Sequence, residues 1–137
     1  MSTIEKLQIV LEDLGLKYKK QKDTPAIIVG FDLRDEEQLE LLLYIDDNLD
    51  RITFMFFIKK IVIDVEKAME YLTNENSNHI VYGCISLFEN KITYHNNISI
   101  INRSIEKDEL NDYIMYSLYL FEKMLDWPIY KHDPVIL

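Results

Sequence analysis

The sequence predicts an α+β domain, an antiparallel β-sheet flanked by helices in the order α-β-β-β-β-α-β-β-α. Three observations carry this. Short apolar runs rich in Ile, Phe, Tyr and Leu are bounded by Asp, Asn and Pro, as strands joined by turns are. Three longer segments repeat their apolar residues every three or four positions, as helices do. The strand runs also follow one another instead of alternating singly with helices, which disfavours a parallel, doubly wound sheet. The 137 residues suit one domain, 1–137, with a core of its own.

The first element is a helix over Thr3–Leu14. Ser2 and Glu5 form a capping-box pattern, Ile4, Leu7, Val10, Leu11 and Leu14 make one apolar stripe, and Gly15 stands where a left-handed C-terminal cap is wanted. Leu16–Lys22 reads as a short strand whose lysines suit a sheet edge. Asp23-Thr24-Pro25 turns the chain into a second strand, Ala26–Leu33, and Arg34–Glu37 turns it again.

Leu39–Ile45 and Ile52–Ile58 then form a hairpin about the polar break Asp46–Arg51. Ile52, Phe54, Phe56 and Ile58 share one face of the second strand. Thr53, Met55 and Phe57 share the other. A half-buried strand would be polar there, so both faces are expected to need cover. Asp64 caps a helix reaching about Asn74, with Val65, Ala68, Met69 and Leu72 inward. Strands at Ile80–Phe88 and Ile92–Ile101 pair through a tight turn near Asn90-Lys91. The last helix spans Ser104–Asp126, with Ser104 as candidate cap, and Trp127-Pro128 closes it. The tail from Ile129 to Leu137 either packs on the body or extends to a partner.

Net charge is −9 and the pI near 4.7, so a polyanion would be bound against the field, and nucleic acid is disfavoured. The lone Cys84 excludes an intrachain disulfide and is expected as a buried thiol in a reducing cytoplasm. No basic leader and no apolar span long enough for a membrane helix is present, so no membrane partner is expected.

Catalytic and metal motifs are missing. Gly15, Gly30 and Gly83 stand far apart, so there is no glycine-rich phosphate loop, and no serine carries a nucleophile signature. His79, His95 and His132 show no ligand spacing, and His95 reads as an exposed strand histidine. Asp46-Asp47-Asn48-Leu49-Asp50 lacks the glycine and distal Glu of a calcium loop and reads as a solvated turn. The expectation is a protein that is not an enzyme, with no metal and no cofactor.

The sharper signal lies in the last helix. At 100° per residue, Leu110, Ile114, Leu118, Phe121 and Leu125 share a core face. Met115, Tyr116, Tyr119, Leu120 and Trp127 spread over the opposite half, where a surface helix would be polar. With Met55 and Phe57 of the hairpin they are the candidate protein-interface residues, since Met and aromatic side chains are enriched at interfaces.

The segment E-D-L-G-L-K-Y-K at Glu12–Lys19, the strand series through Ile58, the helix Asp64–Asn74 and the long last helix together resemble the YbjN family. Those bacterial proteins have a fold like that of type III secretion chaperones. The resemblance covers most of the chain and implies a small, acidic, cytoplasmic, homodimeric protein with no catalytic residues. One departure is that the chain is poor in Gly and Pro at its turns, so turn positions do not support the resemblance. Two functions follow as expectations: a non-catalytic, chaperone-like protein-binding domain with a protein client, or a regulatory domain binding a small molecule in a crevice lined by Tyr82 and Tyr94.

Overall fold

The computed structural model describes residues 2–46, 48–80 and 83–130. Among the described residues nine elements appear in the expected order: α1 Thr3–Asp13, β1 Tyr18–Lys20, β2 Ala26–Asp32, β3 Gln38–Asp46, β4 Arg51–Ile58, α2 Val65–Asn78, β5 Cys84–Phe88, β6 Lys91–Ser99 and α3 Lys107–Met124. The strands form one sheet in the order β1-β2-β3-β4-β6-β5, every neighbouring pair antiparallel. The fold is therefore α+β, as predicted.

Local chemistry explains the element ends. The Glu5 N–H donates to Ser2 Oγ, and the Ser2 hydroxyl donates to Glu5 Oε1 at 3.0 Å, completing the N-terminal cap of α1. Gly15, at φ +72°, ends that helix, with the Gly15 and Leu16 amides donating to the carbonyls of Glu12 and Leu11. Asp64 accepts from the Lys67 amide at 3.1 Å and starts α2. The β5–β6 turn falls on Glu89 and Asn90, at φ 50° and 61°, so a primed hairpin turn forms without glycine. In the β3–β4 turn, the Asp46 carboxylate accepts from the Asn48 and Leu49 amides.

Strand alternation sorts the sheet into two faces. Ile27 and Val29 of β2, Leu39, Leu41, Leu43 and Ile45 of β3, Ile52, Phe54, Phe56 and Ile58 of β4, and Ile92, Tyr94 and Ile98 of β6 are buried together. Leu7 and Leu11 of α1 and Leu110, Ile114, Phe121 and Met124 of α3 belong to the same cluster. Each such Leu, Ile or Phe contributes about 1.5–3 kcal/mol of burial free energy. The α3 tyrosines seat it on the sheet: Tyr113 stacks on Phe54 at 5.4 Å between centroids, and Tyr116 meets Tyr94 edge-on at 5.8 Å. A second anchor is Arg34, which reaches from the β2–β3 turn to Glu122 and Asp126, at 3.3 and 2.6 Å.

Helix α2 lies along the sheet edge at β5. The Asn76 amide donates to the Ile85 carbonyl and accepts from the Ile85 N–H, both at 2.9 Å, so the side chain occupies backbone groups that face outward from the last strand. Its next inward residue, Glu75, pairs with Lys123 of α3 at 2.7 Å.

Several boundaries differ from expectation. α2 continues past Asn74 to Asn78 because Glu75 and Asn76 find those partners. α3 starts at Lys107, not Ser104, because Ile105 is drawn into the core ahead of the first turn. Its cap is Glu106, with no side-chain cap bond. β5 begins at Cys84, so Ile80 lies outside the strand, while Val81 and Tyr82 fall outside the described residues.

Candidate functional site

With one face of the sheet committed to the core, the other carries Ile28 and Gly30 of β2, Leu42 and Tyr44 of β3, Thr53, Met55 and Phe57 of β4, and His95 and Asn97 of β6, with Ala26 and Thr93 buried among them. The strand register draws them into rows. One row runs across all six strands as Lys19, Ile28, Leu42, Met55, His95 and Cys84. Ile28, Leu42, Met55 and Phe57 are half-buried, and Tyr44 is 41% exposed. None of the five packs against the core cluster. Among the described residues no helix lies on this face.

The polar members of the face are mostly tied to one another. The Thr53 hydroxyl donates to Asn97 Oδ1 at 2.8 Å, and Lys59 pairs with Glu40 at 3.1 Å. Partial burial lowers the His95 pKa below its ordinary value, because an imidazolium there loses hydration. His95 is thus half-buried instead of openly exposed. Cys84 is a correction of the opposite kind. It was expected in the core, but alternation along β5 turns Ile85 inward and leaves the thiol exposed at the end of the same row.

The helical candidates separate. Met115 and Tyr119, one turn apart on the outer side of α3, are 56% and 70% exposed. Tyr116 is half-buried against Tyr94. Leu120 and Trp127 were placed on the outer half with them, and this is corrected: both are core residues, 4% and 7% exposed. Trp127 packs on Tyr71 of α2 at 5.0 Å. The reason is Ser117. The buried arc of α3 is centred on it, and its hydroxyl becomes tolerable inside by donating to the Tyr113 carbonyl at 2.8 Å. The arc is thereby turned toward Leu120.

Met55 and Phe57 therefore lie on the far side of the sheet from Met115 and Tyr119, and the candidates form two patches, not one. Sequence reasoning also missed Ile28, Leu42 and Tyr44. Their signal was present: β2 and β3 carry apolar residues on both alternating sets, as β4 does.

Beside the N-terminal half of α3 is a cavity of about 650 Å³ lined by Glu109, Asp112, Tyr113 and Tyr116. Arg103 holds Glu109 in a two-pronged pair at 2.9 and 3.2 Å. Burial, reinforced by the neighbouring Tyr116 and Tyr113, raises the Tyr94 pKa well above the ordinary phenol value, so this ring stays neutral. Tyr82, the other expected crevice residue, lies outside the described residues. Among the described residues no three His, Cys, Asp or Glu side chains gather as a metal site, and no helix is long and apolar enough to cross a membrane.

No family model matches the chain, and no curated protein matches it. Among solved structures, it is similar to the crystal structure of YbjN from E. coli, a proposed transcription regulator. The TM-score is 0.59 at 10% sequence identity, over 89% of this chain and 87% of that one. The likeness is one of architecture, and by it the chain has a YbjN-like fold.

Proposed function

We propose that this protein is a non-catalytic, chaperone-like protein-binding module that works as a homodimer in the reducing cytoplasm and holds a client polypeptide on the outer side of α3. The observation that carries this reading is the pair Met115 and Tyr119, both more than half exposed on a helix whose inner side already has a complete core. Large apolar side chains of these types are what recognition surfaces display. Asp108 and Asp112 lie along the same side of α3. The fitting client is a segment with apolar or aromatic residues beside basic ones. The net charge of −9 favours such a cationic partner and opposes direct contact with nucleic acid, so a regulatory role like that proposed for YbjN would run through protein partners.

The test is suppression of aggregation. A reporter enzyme is heated until it scatters light, with and without this protein. The intact chain should hold scattering down, and Tyr119→Asp with Met115→Lys should lose most of that protection while the far-UV spectrum is unchanged. No protection by the intact chain, or undiminished protection by the double variant, refutes the reading. Global unfolding of Tyr119→Asp would assign that ring to the core.

A second reading, a regulatory domain for a small molecule, is favoured by the cavity at Glu109, Asp112, Tyr113 and Tyr116. Its size suits a small ligand, and its walls combine aromatic faces with carboxylates, which suits an organic cation. Thermal stabilisation by such a cation that is lost in Asp112→Asn would support it.

A further inference from the structure

The homodimer in that reading has no assigned surface, and the open sheet face and the outer side of α3 are two apolar candidates for it. We propose that a second copy of this chain docks on the open sheet face, sheet against sheet, with Ile28, Leu42, Tyr44, Met55 and Phe57 at the centre of the contact. The proposal rests on the homodimeric part of the reading above and is independent of the client.

The first support is packing. Ile28 pairs with Leu42, Leu42 with Met55, and Tyr44 and Phe57 flank that row, so the five make one continuous apolar block. Four are half-buried and Tyr44 is exposed, yet none belongs to the core cluster. A contiguous apolar block of this kind marks a site that something covers.

The second support is charge, and it selects the occupant. Two molecules at −9 repel each other, and a self-contact must be made where that repulsion is locally absent. The strand residues of the open face are balanced, with Lys19, Arg51 and Lys91 against Asp32, Glu40 and Asp46. Most of these charges sit toward the strand ends and edges, and Glu40, directly across from Phe57, is paired with Lys59 at 3.1 Å. The outer side of α3, with Asp108 and Asp112 beside Met115 and Tyr119, would set like charges against each other in a symmetric pair. Within an acidic chain, the sheet face is a surface that a like molecule can approach more readily than the outer side of α3.

Area and edges complete the case. The six strands range from three to nine residues, and at about 4.8 Å spacing and about 3.3 Å rise they give a face of roughly 650 Å² in plan, somewhat less than the roughly 800 Å² that each partner contributes to a standard interface. Lateral growth of the sheet is blocked. β1 is three residues long and carries Lys19 and Lys20, and Asn76 occupies the outward groups of β5 at Ile85. Stacking by the face is the geometry left, at the usual sheet-to-sheet separation of about 10 Å.

Cys84 ends the central row and is exposed, so it reports on the face directly. The experiment measures the mass of the full chain by sedimentation over a dilution series, and in parallel the rate at which a thiol reagent labels Cys84. The expected result is a dimer of two 16.4 kDa chains, with labelling that slows as protein concentration rises. Leu42→Glu and Met55→Glu each place a carboxylate in the dry centre and should weaken the dimer roughly a hundredfold, with labelling independent of concentration. Leu42→Ser provides a milder variant of the same face should a carboxylate unfold the chain.

The proposal is overturned if the intact chain stays monomeric, or if folded Leu42 and Met55 variants dimerise as before. A dimer lost in Tyr119→Asp but kept in Leu42→Glu overturns it in favour of the helix side. A monomer whose Cys84 labels rapidly only after Val135→Glu and Ile136→Glu overturns it in favour of the chain's own tail as the cover. Client protection is read separately, so a failed dimer with intact protection discards this inference alone.

Discussion

Removing the amine of Lys123 isolates the energetics of the α2–α3 contact. Glu75 retains 5% of its side-chain exposure and Lys123 38%, and the two meet at 2.7 Å. Oε1 carries the pair, and Oε2 is buried with no hydrogen-bond partner among the described residues. Lys123→Met leaves a carboxylate shut away from water with nothing opposite it. Breaking a fully buried pair costs about 3–5 kcal/mol, but Lys123 is more than a third exposed, so water reaches the gap and about 2 kcal/mol is expected. Glu75→Gln releases the amine to solvent instead and should cost about 1 kcal/mol. The double variant Glu75→Met, Lys123→Met has no charge to strand and should return to within about 1 kcal/mol of the parent. Urea unfolding of the four proteins reads the cycle, with unchanged slopes as the control. If Lys123→Met costs under about 0.5 kcal/mol, or the double variant is no more stable than Lys123→Met, Glu75 is solvated and the reasoning fails.

Two further outcomes follow from the sheet. Asn76→Ala removes both bonds to Ile85 and should lower stability by about 1–2 kcal/mol in urea while raising concentration-dependent scattering, because the edge at β5 is then open. His95 has a folded pKa below the usual 6.5, so below that value the unfolded chain takes up the proton more readily. Its contribution is fully present above pH 6.5 and is lost as pH falls from there through the lower folded pKa, and thermal melts of His95→Gln should lack that part of the acid-side decline.

Most of the architecture could be read from the chain because its signals are local. The capping pair Ser2 and Glu5, the left-handed Gly15, the Asp64 cap and the alternation Ile52, Phe54, Phe56, Ile58 each act within one element. What stayed hidden depends on partners distant in sequence. Glu75 and Asn76 look like a polar helix end until Lys123 and Ile85 are opposite them. Ser117 looks like a surface residue until its hydroxyl is seen bonded to the Tyr113 carbonyl, and with it the assignment of Leu120 and Trp127 moved from surface to core. Cys84 has a simpler reason: Ile80–Phe88 reads as one apolar run, whereas the strand begins at Cys84 and its alternation decides which side faces in. Of the candidate site, Met55 and Phe57 were legible from the two-sided hairpin. Their neighbours Ile28 and Leu42 needed the register between strands.

The position of α3 in the chain has a bearing on synthesis. It follows every strand, yet it supplies the lid over Phe54 and Tyr94. β1 to β4 are antiparallel neighbours that adjoin in sequence and can pair as they leave the ribosome, whereas β4 meets β6 only after α2 and β5 have been made. Until α3 is in place the inner side of the sheet lacks that lid, and the segments ahead of it carry a net negative charge that opposes association of emerging copies.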